Sequence, residues 1–427
     1  MFLRDSHHVP SYYASNVEAQ PRPAQTHDLQ TEVLIIGAGF SGLHTGLRLA
    51  LAGKKVTMID ASRIAWAASG RNGGMAILGW SSDMGPIEQA LGLNDAKVLW
   101  GLMREAASEL KQLPQRFGFD CDYRPGHLWA SVLARRVAGL REWQEHAAHK
   151  WNYDGLQLIE KKDLPKWVNS ERYQAALYDP EAGHIHPLKL ALGLAHAFEQ
   201  AGGQIFEQTR AVSYQEVGNQ LHVTTEHGQI KCDQLVLACN SYIDQLDAGL
   251  SRKILPVGTF MVTTEVLGQE RAKALIPSNA CVTDNQFILD YFRLTADHRL
   301  LFGGGCTYLG GIPADIPAAM RPNLERVFPT LKGVKIDYAW GGHIDISMHR
   351  TPEIGCRGNV YWMQGYSGHG VLPTCVSGRV VAEAILGQRD HLALFMRLSH
   401  PPFPGGAILA PWLEAAGKCW YRLRDFF

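Results

Sequence analysis

Three glycines and one carboxylate carry the first chemical signal in this chain. They lie in Gly37-Ala38-Gly39-Phe40-Ser41-Gly42, and Asp60-Ala61 follows roughly 18 positions past Gly42. This spacing suits the cradling of a pyrophosphate. Gly37 permits a tight turn, and Gly39 lets the backbone approach the anion, whose charge then falls on the N-terminus of the next helix. Gly42 allows that helix to pack closely on a sheet. Asp60 is placed to bind ribose hydroxyls. A glycine turn between two core elements is the plain alternative, but the flanking pattern argues against it. The apolar run Val33–Ile36 precedes the turn, helical periodicity over Ser41–Ala52 follows, and a second apolar run over Lys54–Ile59 ends at the acid.

The glycine turn alone does not choose between dinucleotides, and three further segments point to FAD. The stretch Gly202–Phe206 through Arg210-Ala211-Val212 reads as a strand whose end could pin an adenine against Val212. Leu235–Asn240 reads as a strand ending in Ala238 and Asn240, a small residue and an amide suited to close backbone approach. Gly365-Tyr366-Ser367-Gly368-His369-Gly370 precedes a helix, and its amides could stabilise negative charge on the pyrimidine side of a reduced flavin.

The elements that must hold these loops follow from length and pattern. A chain of 427 residues buries a large core and suggests two lobes. Nucleotide signals at both ends imply an α/β, Rossmann-like lobe built from discontinuous segments, with an inserted antiparallel-sheet lobe. We assign 31–85, 150–245 and 340–390 to the FAD-binding lobe and 86–149 and 246–339 to the substrate lobe. Residues 1–30 form an N-terminal arm and 391–427 a C-terminal extension. Helices are expected within Pro86–Lys150, over Pro187–Ala201 and over Thr374–Leu386. Strands are expected at Gln204–Val212, Leu221–Thr225, Gln234–Leu237, Pro256–Val266, Ile288–Leu294, Leu300–Gly304 and Tyr361–Gln364. Lys+Arg and Asp+Glu both number 41, so charge gives no hint of a nucleic-acid partner or an anionic membrane. Eight scattered cysteines without a CxxC argue against a metal or disulfide framework. With no apolar leader in Met1–Gln30, a cytoplasmic setting is expected.

The segments IIGAGFSG, ASGRNGG, LACN and QGYSGHG, in this order, resemble the D-amino-acid oxidase superfamily of FAD enzymes, which includes glycine oxidase and monomeric sarcosine oxidase. The segments SYYAS, SGRNGG, DCDYRPG, AGHIHPL, LDYFRLTAD, RLLFGGG, LKGVKIDYAWGG and HPPFPGG extend the resemblance to the γ-glutamylputrescine oxidase group, over essentially the whole chain. The resemblance implies that Gly37, Gly39, Ser41 and Gly42, with Phe40 between them, hold the pyrophosphate. Asp60 and Ala61 would meet the ribose. Arg63 and Ser69, Gly70, Arg71, Asn72, Gly73 and Gly74 would contact the cofactor further along. Val212 would meet the adenine end, and Gly368, His369, Gly370 and Val371 would border the flavin ring. The sarcosine branch attaches FAD to a cysteine just before a Thr-Pro-acid step. Here Asp345–Arg350 before Thr351-Pro352-Glu353 has none, so non-covalent FAD is expected. That branch also has a carboxylate-binding lysine where this chain has Leu372, which favours an amine over an N-methyl amino acid. Its oxygen-activating lysine has no counterpart in Leu300–Gly303.

The expected reaction is therefore hydride transfer from an amine-bearing carbon of a γ-glutamylated putrescine or polyamine to the flavin. Imine hydrolysis and reoxidation by O2 to hydrogen peroxide would follow. The rival readings are an FAD dehydrogenase feeding a carrier and a non-catalytic flavoprotein. His369, Tyr366 and Trp340 are candidates for work at the reacting centre, with turn packing the alternative for His369 and core packing for Trp340. Tyr123 and Arg124 are candidates for substrate contact, with a surface turn the alternative. Arg71 could instead be an exposed loop cation. His184 and His186 resemble a metal pair only superficially, because no third ligand is evident. The C-terminal aromatics Trp412, Trp420, Tyr421, Phe426 and Phe427 read as a capping helix, with a membrane-adjacent patch the less favoured alternative.

Overall fold

A computed structural model describes residues 7–286, 288–307 and 311–404, together with 409, 412 and 416. The run Val33-Leu34-Ile35-Ile36 belongs to the strand Leu29–Ile36 and is buried throughout. Continuous apolar burial of this kind is what a parallel strand covered on both faces requires. This strand pairs in parallel with Val56–Ile59 on one side (Ile36 opposite Ile59) and with Gly228–Leu237 on the other (Ile36 opposite Leu237). Gln204–Phe206 extends the sheet beyond Val56–Ile59. Val360–Gln364 and then the antiparallel Glu353–Arg357 extend it beyond Gly228–Leu237. The hairpin Ala211–Val217 and Gln220–Thr225 completes eight strands. The helix Phe40–Leu51 packs against the helices Pro187–Gln200 and Val371–Ile385. Leu43, Leu47 and Ala50 lie at the spacing of one face, and Leu49 is buried on another, because the helix is covered nearly all round.

A second sheet of nine strands forms the other lobe. Its main path runs Ile336–Ser347, Ile254–Thr264, Leu300–Thr307, Tyr291–Leu294, Cys281–Asp284, Arg124–Ser131, Ala175–His184 and Met75–Ala76, and Gln157–Glu160 pairs beside Ala175–His184. It is antiparallel except that Cys281–Asp284 and Arg124–Ser131 run in parallel. Its core centres on Phe292, stacked on Phe302 at 5.7 Å and edge-on to Phe328 at 5.1 Å.

Several expectations need correction. Gln204–Val212 is not one strand. It breaks after Phe206 because Glu207 turns inward, accepts the Arg22 and Ile64 amides at 2.8 Å each and pairs with Arg63 at 2.7 Å. Gln157–Glu160 and Ala175–His184 lie in a segment assigned to the FAD-binding lobe, yet both belong to the second sheet. Ala175–His184, Ile336–Ser347 and Arg124–Ser131 escaped the strand reading altogether.

The N-terminal arm does more than lie on the surface. It forms a short helix, Tyr12–Ser15, capped by the Ser11 hydroxyl at 3.1 Å, and drives Tyr12 and Tyr13 into the core. Among the described residues no helix is long and apolar enough to cross a membrane. Trp412 is exposed, and Trp420, Tyr421, Phe426 and Phe427 lie outside the described residues.

Candidate flavin and amine site

The glycine turn is built so that backbone touches backbone. Gly37 has φ +111°, and a β-carbon there would stand 2.4 Å from the Ala238 carbonyl oxygen. A β-carbon at Gly42 would stand 2.0 Å from the Gly37 carbonyl oxygen. Gly39 is the N-cap of Phe40–Leu51 and brings no side chain to cap it, so the helix end is open to an anion. The Phe40 amide donates to Ser69 Oγ at 2.9 Å, which ties the turn to the next loop. Asp60 accepts the amides of Ala38 and Ser62 at 2.8 Å each. Burial pushes its pKa up to about 6.

A cavity of about 960 Å³ begins at Phe40, Ala68 and Ser69 and continues between the two sheets. It passes Arg71, Asn72 and Gly73, then Asn240, then Tyr366, Gly368, His369, Gly370, Val371 and Thr374. Gly370 caps the helix Val371–Ile385 and again brings no side chain, so a second open helix end meets the same cavity. The far end widens under the helices Met84–Leu91 and Val137–Trp151. Trp80, Trp100, Trp129, Trp143, Trp151 and Tyr153 stand there beside acids that include Asp179 and Asp284.

The loop Ser69–Gly74 is fixed by its own carbonyls. Arg71 O accepts Trp340 Nε1 at 2.9 Å, Asn72 O accepts the Tyr13 hydroxyl at 2.8 Å, and Gly73 O accepts Arg293 Nε at 2.7 Å. Arg293 Nη2 also donates to the Tyr13 oxygen at 3.1 Å. Arg71 donates to the carbonyls of Trp66 (2.7 Å) and Gly341 (3.2 Å) and lies 4.1 Å over the Trp66 ring. The Asn72 amide bridges the Ala68 and Ser69 carbonyls and accepts the Gly74 amide. Tyr13, Arg293 and Glu207 were not singled out from sequence. SYYAS and LDYFRLTAD marked the first two segments without giving either residue a role.

The structure separates the candidates. Phe40, Ser69, Arg71, Asn72, Gly73, Asn240, Tyr366, Gly368, His369, Gly370 and Val371 share the cavity wall. Trp340 stands behind it, buried edge-on to Tyr13 at 5.3 Å, so its part is to hold Arg71. The Tyr366 hydroxyl pairs with Ser41 Oγ at 2.7 Å, and burial raises its pKa, so it is a neutral tie between the two glycine loops. His369 donates from Nε2 to the Ile77 carbonyl at 3.0 Å, because a carbonyl only accepts, which leaves Nδ1 as the acceptor. Burial lowers its pKa, so it stands on the wall as a neutral imidazole.

Arg63 pairs with Glu207 and the Ala19 carbonyl, away from this wall. Val212 is 54% exposed on a hairpin strand, and Leu372 is buried in its helix. Tyr123 and Arg124 do not line the cavity. The Tyr123 hydroxyl reaches the Ala182 carbonyl at 3.4 Å, and Arg124, which opens a strand rather than a turn, bonds the Tyr123 carbonyl at 2.9 Å. His184 bonds the Asn279 carbonyl, and His186 caps Pro187–Gln200. Among the wall residues not singled out from sequence are two buried titratable groups. His127 bonds Thr283 Oγ1 at 2.8 Å, with its pKa pushed down by burial to about 3. Asp345 accepts the Gly365 amide, with its pKa raised by burial to about 7.

An open helix end behind a glycine cradle and a long two-lobed cavity define a dinucleotide-dependent redox enzyme. The chain belongs to the DAO family of FAD-dependent oxidoreductases, whose model matches residues 32–384. γ-Glutamylputrescine oxidoreductase of Escherichia coli (strain K12) is 39% identical over 421 residues, 98% of each chain. Probable oxidoreductase OrdL of Haemophilus influenzae is 38% identical over 425 residues, 98% of this chain and 97% of its own. Glycine oxidase from Bacillus cereus ATCC 14579 superposes with a TM-score of 0.70 at 22% identity, covering 85% of this chain and 97% of that one, a likeness of fold. The residues present fit FAD: the turn is so tight that a β-carbon at Gly37 or Gly42 would strike backbone, and the cavity meets two helix ends without side-chain caps, which suit an anionic group.

Proposed function

We propose that this protein is an FAD-dependent amine oxidase acting on a γ-glutamylated putrescine or a related polyamine in the cytoplasm, with FAD held non-covalently. One observation carries the reading: a single cavity joins the dinucleotide turn, the Gly368–Val371 loop and a vestibule of aromatic rings and carboxylates. Such a vestibule attracts a cationic amine. The 39% identity to the Escherichia coli relative over almost the full chain supports the substrate class.

FAD, when bound, would supply a two-electron acceptor for a hydride from the amine-bearing carbon, with oxygen as the final acceptor giving hydrogen peroxide and water hydrolysing the imine to aldehyde and ammonia. The chain's own residues must bring the amine in as the neutral base. Burial holds the His369 imidazole neutral, and burial around it disfavours a cation at the reacting nitrogen. The Gly368–Val371 helix end favours negative charge gathering beside it. Ser41 and Tyr366 hold the two glycine loops at a fixed separation.

Anaerobic titration of the yellow holoprotein with γ-glutamylputrescine, putrescine and a panel of amino acids tests the proposal. The expected result is bleaching by the amines, then stoichiometric peroxide once air is admitted. Bleaching by amino acids alone would overturn it. A carrier-linked dehydrogenase is the second reading, favoured by a neutral His369 and the lysine-free Leu300–Gly303 stretch. It predicts bleaching by amines with little peroxide.

A further inference from the structure

The strand Ala175–His184 places in the vestibule a carboxylate to which the reaction assigns no work. Asp179 stands directly opposite His127 on Arg124–Ser131, and Leu177 stands opposite Trp129. Alternation along the two strands puts these four side chains on one face, and all four line the cavity. Asp179 is only 7% exposed. All its hydrogen bonds converge on Oδ1, which accepts from the Tyr153 hydroxyl, the Glu181 amide at 2.9 Å and the Ala182 amide at 3.3 Å. Among the described residues Oδ2 accepts none, and no Lys or Arg pairs with this carboxylate. The neighbouring guanidinium of Arg104 is already committed, bonded twice to Glu181 and lying 4.9 Å over the Tyr153 ring. His127 supplies no charge, because burial keeps it neutral.

The mostly buried carboxylate therefore keeps one oxygen free for a partner in the cavity. Burial raises its pKa accordingly. Rings enclose the same space: Trp100 packs 6.0 Å from Tyr153 and 6.0 Å from Trp143. A carboxylate oxygen open to a cavity among aromatic faces matches an ammonium group, which gives a charge-assisted hydrogen bond to one and a cation–π contact to the other.

We propose that Asp179 Oδ2 anchors a second ammonium group of the substrate, the one that is not oxidised, and so selects molecules carrying two basic nitrogens. This rests on the amine-oxidase reading and names the feature of the substrate that the site measures. Tyr153 is then a positioning residue, because its hydroxyl occupies Oδ1 and leaves Oδ2 for the ligand.

Two matched pairs test it in the holoenzyme: putrescine against 1-aminobutane, and γ-glutamylputrescine against glutarylputrescine, which lacks only the α-ammonium. The wild type should favour the doubly charged member of at least one pair by about 10- to 100-fold in kcat/KM, mainly through KM, as expected for a hydrogen bond to a charged group. Asp179→Asn keeps the shape and the Oδ1 acceptor, and should erase that preference through a loss in kcat/KM for the doubly charged member. No preference in either pair for the wild type, or a preference that survives in Asp179→Asn, would overturn the proposal. The wild-type comparison decides the matter even if the variant does not fold. If none of the four compounds bleaches the flavin, the amine-oxidase reading fails on its own. Calorimetric titration of the dithionite-reduced protein with putrescine then judges Asp179 separately, and an absence of binding counts against it.

Discussion

A β-carbon at Gly42 would press on the carbonyl oxygen of Gly37, and backbone cannot swing aside as a flexible side chain can. Gly42→Ala should therefore cost about 1–3 kcal/mol and release FAD, read as a lower 450-to-280 nm absorbance ratio and a lower Tm. Tyr366→Phe is milder, because it removes one buried hydrogen bond to Ser41 worth about 1 kcal/mol. FAD should bind several-fold more weakly by equilibrium titration, with kcat at saturating cofactor nearly unchanged. Asp345 sets a pH dependence. Burial holds its folded pKa at about 7, above the ~3.9 of an unfolded chain, so the folded form binds the proton more tightly. That stabilisation is full below about pH 4 and is lost as pH rises through about 7. Asp345→Asn stays neutral throughout, so its Tm relative to wild type should climb between about pH 5 and 8. A constant difference across that range would contradict the assignment.

The loop Ser69–Gly74 is held by three consecutive carbonyls, each served by a donor from a different element. Tyr13 comes from the N-terminal helix, Trp340 from Ile336–Ser347 and Arg293 from Tyr291–Leu294. Tyr13→Phe deletes one hydroxyl and leaves the Asn72 carbonyl short of a partner. It should lower stability by about 1–2 kcal/mol, and hydrogen exchange across Arg71–Gly74 should rise. This is also where sequence reading stops. The turn, its helix and Val56–Ile59 were legible because glycine spacing and local periodicity are written within thirty residues. Ala175–His184 was not, because AALYDPEAGH breaks alternation with Pro180 and Gly183, and only pairing with Arg124–Ser131 makes it a strand. The same strand carries Asp179, so its role was hidden with it. Glu207 was missed for a similar reason: its partners Arg22, Arg63 and Ile64 are distant in sequence.

Across the whole molecule, the stretch Asp345–Arg350 brings no thiol to the cavity, and Cys306 is the cysteine on the described wall. Acid precipitation should therefore leave a colourless pellet and a yellow supernatant; a yellow pellet would mean a covalent flavin bond. The nucleotide-binding sheet gathers its strands from far apart: Leu29–Ile36 rests between Val56–Ile59 and Gly228–Leu237, and the latter is flanked by Val360–Gln364. A ribosome thus releases the central strand and Val56–Ile59 long before Gly228–Leu237 exists. Until residues near 364 emerge, the nascent chain carries an unpaired apolar edge that invites aggregation, a delay imposed by such distant pairings. Chaperone co-expression should therefore raise the soluble yield of this protein.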